Sequence, residues 1–354
     1  MIENRERHYL NTIKGTAIFL MLWGHCIQYC SANSFDFFLN TAFKTIYSFH
    51  MPLFMLISGY LYYFSFIKRD LKTLLIHKTQ SMLHPIVFAS ALNMFLISIP
   101  TLLKEGIYCL LNGTLIDDIY SFWFLWCVLS SSLAVGISCK ISDRMWIQIL
   151  NITLGIFFVA LFPDLHSHLY MYPYFVIGFF YGKCRQCIPD SWKKCSCLAL
   201  PAFPVMMLFY QKKHYIYITP IFDFSKPILT WASVSAFRWI IGLVGSIFMI
   251  DILKRLHNAF YDRRSGCSIL LNFVSKLGEN SLSVYCLSVS LLSYYLPRLY
   301  NLFVDMAGRN VFAENMFFFN LVFTPALACI YSLVLYAIIL VLKKYKLHRI
   351  IFGK

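Results

Sequence analysis

Long apolar stretches separated by short polar segments dominate the 354-residue chain. Several of them match the length of about 20 residues that an α-helix needs to cross a bilayer. The pattern predicts ten spans, at about 13–32, 45–67, 79–103, 119–138, 146–162, 169–182, 195–210, 228–253, 278–297 and 317–342. Since no linker or soluble appendage interrupts this pattern, residues 1–354 are predicted to form one domain, an all-α membrane helix bundle.

Composition and charge support a polytopic membrane protein. Hydrophobic residues make up 59% of the chain and charged residues 13%, against about 25% charged residues in a typical soluble protein. Most of the 31 Lys and Arg residues fall on one side of the ten-span arrangement. The positive-inside rule then places both termini in the cytoplasm. The net charge of +15 is therefore attributed to topology and to anionic lipid, and we expect no nucleic-acid partner.

Twelve cysteines are scattered along the chain, and one group of them has a spacing that could hold zinc. This group consists of Cys184, Cys187, Cys195 and Cys197. Its second pair is tightly spaced and enters the seventh span. We therefore predict no metal site, although the sequence leaves open whether these thiols bind anything.

The first span carries two ionisable residues on one helical face. Lys14 and His25 are eleven residues apart, and eleven steps of about 100° return to nearly the same side of a helix. Ile18 and Met21 lie between them on this edge. Because an ionisable group inside a membrane is costly, it is a candidate functional residue. Imidazole can act as a general base near neutral pH, while the structural alternatives are a histidine bonded to a neighbouring helix and a lysine that snorkels to the interface.

The second span carries a histidine close to a proline. His50 precedes Pro52, and a proline inside a helix removes one backbone hydrogen bond and kinks the helix. His50 could therefore face the same cavity as His25 from an antiparallel neighbour. A packed His50 beside a purely structural kink is the alternative reading.

Arg238 lies near the middle of the eighth span, where a guanidinium almost always faces the protein interior or a wet cavity. It could stabilise an oxyanion or bind donor phosphate. The structural alternative is an ion pair with an acidic residue such as Asp223 or Asp251.

Three residues at the outer side are candidates for substrate binding. Asn33 and Asp36, in the first outer loop, could orient His25 or hold acceptor hydroxyls, and a solvated loop is the alternative. Trp123 could form an aromatic platform for a sugar, or belong to an interfacial aromatic belt.

These residues resemble the signatures of one family. Lys14, with His25 after ten intervening residues, is similar to the Arg/Lys-x10-His signature of integral-membrane acyltransferase family 3, bacterial O-acyltransferases of sugars and lipids. The segment Phe49–Tyr60 resembles the second signature of that family, F-x-M-P-x-F-x-x-x-S-G. Weaker likenesses are found at 78–85, 123–125 and 278–285. Lysine stands at position 14 where arginine is commonest, and Ser288 stands where many members carry a histidine.

The resemblance implies a function and roles for the residues. A cytoplasmic acyl-CoA, most simply acetyl-CoA, would donate the acyl group. A hydroxyl of a surface glycan or lipid-linked sugar would accept it, at a bacterial inner membrane. His25 would be the catalytic base with His50 in support, and Lys14, Lys78 and Arg238 would bind the donor. The rival from another class is a secondary transporter or flippase, because a cavity with His and Arg also suits a proton-coupled carrier. Oligomeric state and acceptor identity are not predicted.

Overall fold

The computed structural model describes residues 4–31, 35–105, 120–142, 144–160, 166–187, 195–223, 225–261, 266–307 and 315–352. Within these ranges the protein is helical and contains no strand, in agreement with the all-α prediction.

The helices in chain order are α1 Asn4–Ser31, α2 Thr41–Phe66, α3 Leu71–Glu105, α4 Trp123–Ile141, α5 Met145–Ala160, α6 His166–Cys184, α7 Ala199–Met207, α8 Ile228–Phe260, α9 Gly266–Glu279, α10 Ser281–Ala307, α11 Met316–Lys344 and α12 Leu347–Phe352. Each of the ten predicted spans overlaps one of these helices. The helix that overlaps the seventh span, α7, has nine residues and is the shortest of the helices matched to a predicted span. Helix α9 precedes α10 as a separate element.

Among the described residues, three helices are long and apolar enough to cross a membrane: α4, α8 and α11. The most apolar of them, α11, has 22% of its apolar window buried inside the protein, against 61% for α4. A low buried fraction in the most apolar helix suits a bundle whose outer helices contact lipid. The protein is therefore described as a membrane protein, while ten spans with both ends in the cytoplasm stay a prediction.

Helices α1 and α2 form the centre of the bundle. Helix α1 packs against α2, α9, α10 and α11, and α2 packs against α1, α6 and α8. The α2 N-terminus is capped by Asn40, whose side chain accepts a hydrogen bond from the backbone N–H of Phe43 at 3.0 Å. This bond satisfies one of the amides that a helix start leaves without an intrahelical partner.

Two glycines permit the close crossing of α2 and α6. A Cβ added to Gly59 would lie 2.0 Å from the carbonyl oxygen of Phe175, and one added to Gly178 would lie 1.9 Å from that of Leu56. Only glycine lets the two backbones approach so closely. The crossing fixes α2, and with it His50, relative to the rest of the bundle.

Candidate active site

A partly open cavity of about 120 Å³, here called the outer cavity, lies beside the C-terminal half of α1. His25, His50 and Trp123 belong to its wall. Aromatic rings form much of the remaining described wall, namely those of Tyr29, Tyr47, Tyr217 and Tyr285. The outer cavity thus brings both predicted catalytic histidines and one predicted substrate-binding residue to a single space.

A second cavity of about 180 Å³, here called the inner cavity, lies beside the N-terminal half of α1. Lys14 and Lys78 both belong to its wall, and each is half-buried. The ammonium of Lys78 also stands 5.1 Å from the centroid of the Tyr62 ring. Two cations from different helices therefore face one partly enclosed space, an arrangement suited to an anionic ligand.

One face of α1 runs along both cavities. Lys14 and Ile18 line the inner cavity, His25 lines the outer cavity, and Met21 lines both. The eleven residues from Lys14 to His25 span about 16 Å along a helix. The helical face that carries Lys14 and His25 thus contributes to the walls of both cavities.

His25 is positioned by its neighbours on α1 and α2. Its Nδ1 lies 3.3 Å from Oε1 of Gln28 and 3.4 Å from the hydroxyl of Tyr47, and its ring stacks on that of Tyr29 with centroids 5.7 Å apart. Gly24 leaves room for Tyr47, because a Cβ there would lie 2.4 Å from Cε2 of that ring. With Nδ1 donating to Gln28, Nε2 carries the lone pair that a general base requires.

His50 is more buried than His25 and has a different partner. Its side chain is 2% exposed, and its Nδ1 lies 2.8 Å from the carbonyl oxygen of Ile46. A carbonyl only accepts, so Nδ1 donates and Nε2 is the unprotonated nitrogen. The His50 ring lies 4.7 Å, centroid to centroid, from the ring of Tyr47. Tyr47 therefore contacts both histidines of the outer cavity.

Arg238 is buried in α8 and bonds to the loop between α7 and α8. Its side chain is 1% exposed, and its guanidinium donates to the backbone carbonyls of His214 at 2.8 Å and Thr219 at 3.0 Å. Arg238 is not among the described residues that line either cavity. The donor-binding role of Arg238 therefore stays a prediction, and its hydrogen bonds go to a loop whose Tyr217 lines the outer cavity.

The acidic partners suggested for Arg238 are engaged elsewhere. Asp223 pairs with Lys226 at 2.7 Å, and Asp251 pairs with Arg255 at 2.8 Å. The hydrogen bonds of Arg238 therefore run from Nε and Nη2 to backbone carbonyls, while its Nη1 is buried without a hydrogen-bond partner among the described residues.

The outer loops place the remaining candidates. Asp36 pairs with Lys212 at 2.5 Å and accepts a hydrogen bond from the backbone N–H of Phe38 at 3.0 Å. The bond from Lys212 lowers the pKa of Asp36 below its usual range, because it favours the charged carboxylate. Asp36 joins two loops and is absent from the described wall of the outer cavity. Asn33 lies outside the described residues.

Sequence reasoning missed Gln28 as a partner of His25, and Tyr217 and Ser288 as residues of the outer cavity wall. Gln28 sits three positions after His25, a spacing that puts two side chains on one helical face, so it could have been found. Tyr217 comes from a loop between α7 and α8, and Ser288 follows Tyr285 by one helical turn. No local pattern identifies the loop residue, because its place depends on how the loop folds over the bundle.

The described residues hold no group of three or more His, Cys, Asp or Glu side chains suited to a metal ion. In the cysteine segment, Cys197 lies 3.2 Å from Nη2 of Arg255. The Cys197 thiol thus contacts a side chain of α8.

Comparison with known proteins identifies relatives. A family model described as an acyltransferase domain matches residues 7–343. Nodulation protein NolL of Mesorhizobium japonicum is 30% identical over 189 residues, which cover 51% of this chain and 48% of that protein. Nodulation protein NolL of Sinorhizobium fredii is 30% identical over 181 residues, covering 48% of this chain and 47% of that protein. The chain thus spans about half the length of these curated relatives. No solved structure matches it significantly.

Proposed function

We propose that this chain, which belongs to the acyltransferase 3 family, is a membrane O-acyltransferase. In this proposal it moves an acyl group, most simply acetyl, from a cytoplasmic acyl-CoA to a hydroxyl of a surface glycan or lipid-linked sugar. One observation carries the proposal. A single face of α1 presents a cation to the inner cavity and an imidazole to the outer cavity.

Donor binding is assigned to the inner cavity. Lys14 and Lys78 would hold phosphates of the donor through charge-assisted hydrogen bonds, which are about twice as strong as neutral ones. Lysine acts here as a point charge rather than as a planar fork. The positive-inside rule puts this end of the bundle at the cytoplasmic face, where acyl-CoA is available.

The chemical step is assigned to the outer cavity. Nε2 of His25 would take the proton of the acceptor hydroxyl as its oxygen attacks the thioester carbonyl. The tetrahedral intermediate would then collapse, with an oxygen ester formed and the carbon–sulfur bond broken. The imidazolium would return the proton to the departing thiolate. Gln28 and Tyr47 would keep Nδ1 engaged during both transfers.

Acceptor binding is assigned to the aromatic wall of the same cavity. Trp123 and Tyr217 would present flat apolar rings with polar edges, which suit a sugar ring. Their own rings meet edge to face with centroids 6.3 Å apart. Both lie at the end of the bundle opposite Lys14, the side predicted to face outward, so donor and acceptor would enter from opposite sides.

The test compares surface glycans of a strain that lacks the gene with those of its complemented parent. We expect mass spectrometry to show one acetyl increment lost on deletion and restored by the intact gene. Purified protein in lipid nanodiscs should also release or transfer label from acyl-labelled acetyl-CoA. Identical glycan masses in both strains, together with no turnover of labelled donor, would refute the proposal.

A further inference from the structure

The two cavities meet at three buried residues from three helices. Met21 of α1, Met51 of α2 and Tyr285 of α10 each belong to both walls, and their exposed fractions are 3%, 9% and 6%. We call these three residues the neck. Met21 precedes His25 by about one helical turn, and Met51 follows His50 directly. The neck therefore separates the two lysines from the two histidines.

We infer that the neck limits the size of the acyl group, so that the protein transfers short acyl chains. The inference rests on the proposed function, because it needs a donor held at Lys14 and a base at His25. A thioester held by its phosphates in the inner cavity reaches His25 only through the space between these three side chains.

The chemistry of the neck suits a narrow passage. Methionine is unbranched, with three rotatable bonds, so Met21 and Met51 can move aside for a slender chain. Tyr285 is the fixed part, because Phe124 and Phe122 meet its ring edge to face, with centroids 5.9 Å and 6.3 Å away. Two adaptable walls against one rigid ring admit a thin acyl thioester and resist a bulky one.

The small volume of the outer cavity also favours a short acyl group. Its volume of about 120 Å³ is smaller than the cavity of about 150 Å³ that holds one benzene molecule in an engineered protein core. The outer cavity must take the acyl group and the attacking hydroxyl together. An acyl group smaller than benzene, such as acetyl, meets this limit.

Membrane vesicles with the cytoplasmic face outward, prepared from a deletion strain that carries each variant, provide the test. They contain the natural acceptor and are supplied with acetyl-, butyryl- or hexanoyl-CoA. The mass increment on the acceptor reports which acyl group is transferred. In the wild type we expect hexanoyl transfer to be at least about tenfold slower than acetyl transfer, since one or two methylenes already discriminate at this level.

Two variants and a matched control test the neck itself. Met21→Ala and Met51→Ala should each raise the hexanoyl-to-acetyl ratio about tenfold. Met55→Ala is the control, because Met55 is equally buried in α2 but is not in either cavity wall. It should leave that ratio within about twofold of the wild type. If the alanine variants do not accumulate, Met21→Val and Met51→Val should shift the ratio in the same direction by less.

The outcomes separate the two proposals. Wild-type vesicles that transfer no acyl group from any donor would overturn the proposed function. Wild-type vesicles that transfer hexanoyl as fast as acetyl would overturn the neck alone. So would neck variants whose hexanoyl-to-acetyl ratio equals that of Met55→Ala.

Discussion

Single residues decide whether the outer cavity can do chemistry, and His25 is the first of them. It is half-buried, and two side chains hold its Nδ1. His50 is fully buried, and its Nδ1 donates to a carbonyl of its own helix. The first arrangement leaves a ring that an acceptor can reach, and the second fixes a ring in place. We therefore assign proton transfer to His25 and support to His50.

Replacing His25 tests this assignment. His25→Ala should lower acyl transfer by about 10²- to 10⁴-fold, the usual contribution of a general base, with protein accumulation unchanged. The measurement is label transfer from acetyl-CoA in vesicles that carry equal amounts of each variant. His168→Ala is the control, since His168 bonds to Ser130 on α4 away from both cavities. Transfer that survives in His25→Ala would remove the base from the mechanism.

A second residue, His214, makes the loop between α7 and α8 sensitive to acid. Nδ1 of His214 accepts a hydrogen bond from the backbone N–H of Gln211 at 2.8 Å, and this bond requires an unprotonated nitrogen. Burial, then the charges of Lys213 and Arg238, lower the pKa of His214 to about 4. The native pKa is below the unfolded value of about 6.5, so the unfolded loop binds more protons between these values. The contribution of His214 to the stability of the loop is therefore fully present above about pH 6.5 and is lost as the pH falls toward 4.

Hydrogen exchange of residues 211–219 checks this expectation. Between pH 7 and pH 5 the free energy of opening of the loop should fall by about 1–2 kcal/mol, after correction for intrinsic exchange rates. His214→Gln keeps a polar side chain without a titrating ring, so its opening free energy should change little over the same range. An equal decrease in both proteins would show that another group titrates.

The sequence predicts only some of the relations between the residues of the two cavities. Helical spacing relates Lys14 to His25 because both belong to one regular element. It cannot relate either of them to Tyr217 or predict that Lys78 joins Lys14, because those approaches depend on packing between distant segments. For a related reason it did not predict the contacts of Arg238. The cost of a buried charge indicates that a partner exists, but not that the partner is a set of loop carbonyls.

At the scale of elements, a buried side chain of α8 contacts the loop between α7 and α8 at two points. Arg238 donates to carbonyls on both sides of Tyr217, at His214 and Thr219. Tyr217 in turn lines the outer cavity. The buried arginine of α8 therefore acts on the cavity through the position of a loop.

Arg238→Met should release this loop, because it keeps the length of the side chain and leaves buried carbonyls without a donor. We expect a loss of about 3 kcal/mol or more in stability, from charged hydrogen bonds and unsatisfied acceptors. Thermal unfolding of the purified protein and hydrogen exchange of 213–219 are the measurements. Arg238→Lys should recover part of the loss. Unchanged loop exchange combined with a higher KM for acyl-CoA would instead support the donor-binding role.

Helix positions were predicted better than their boundaries. Each predicted span overlaps a helix because apolar stretches of this length have few alternatives in a membrane. The helices extend beyond the predicted spans that begin at 13 and 45, since α1 begins at Asn4 and α2 at Thr41. Their first turns carry charged and polar side chains, so hydropathy does not mark them as part of a span. Capping and packing extend these helices beyond the apolar segment.

At the scale of the whole molecule, the charge distribution predicts which cavity faces which compartment. The inner end carries the pairs Arg185–Glu6 and Arg255–Asp251, and the outer end carries Lys212–Asp36 and Lys226–Asp223. Ion pairs thus occur at both ends, and the orientation rests on the excess of Lys and Arg in the segments predicted to be cytoplasmic. The proposed direction of transfer depends on this orientation, since acyl-CoA is a cytoplasmic donor.

Cysteine labelling in spheroplasts tests the orientation directly. The experiment starts from a Cys109→Ser background, because Cys109 falls between the third and fourth predicted spans, in a segment predicted to face outside. A membrane-impermeant maleimide should not label this background, because its exposed Cys187 and Cys267 lie in segments predicted to face the cytoplasm. Lys212→Cys should be labelled from outside, since Lys212 is about half-exposed at the outer end. Lys254→Cys, at the inner end of α8, is the matched control and should react only after permeabilisation. The reverse pattern would place the lysines of the inner cavity outside the cell, where a cytoplasmic thioester cannot reach them.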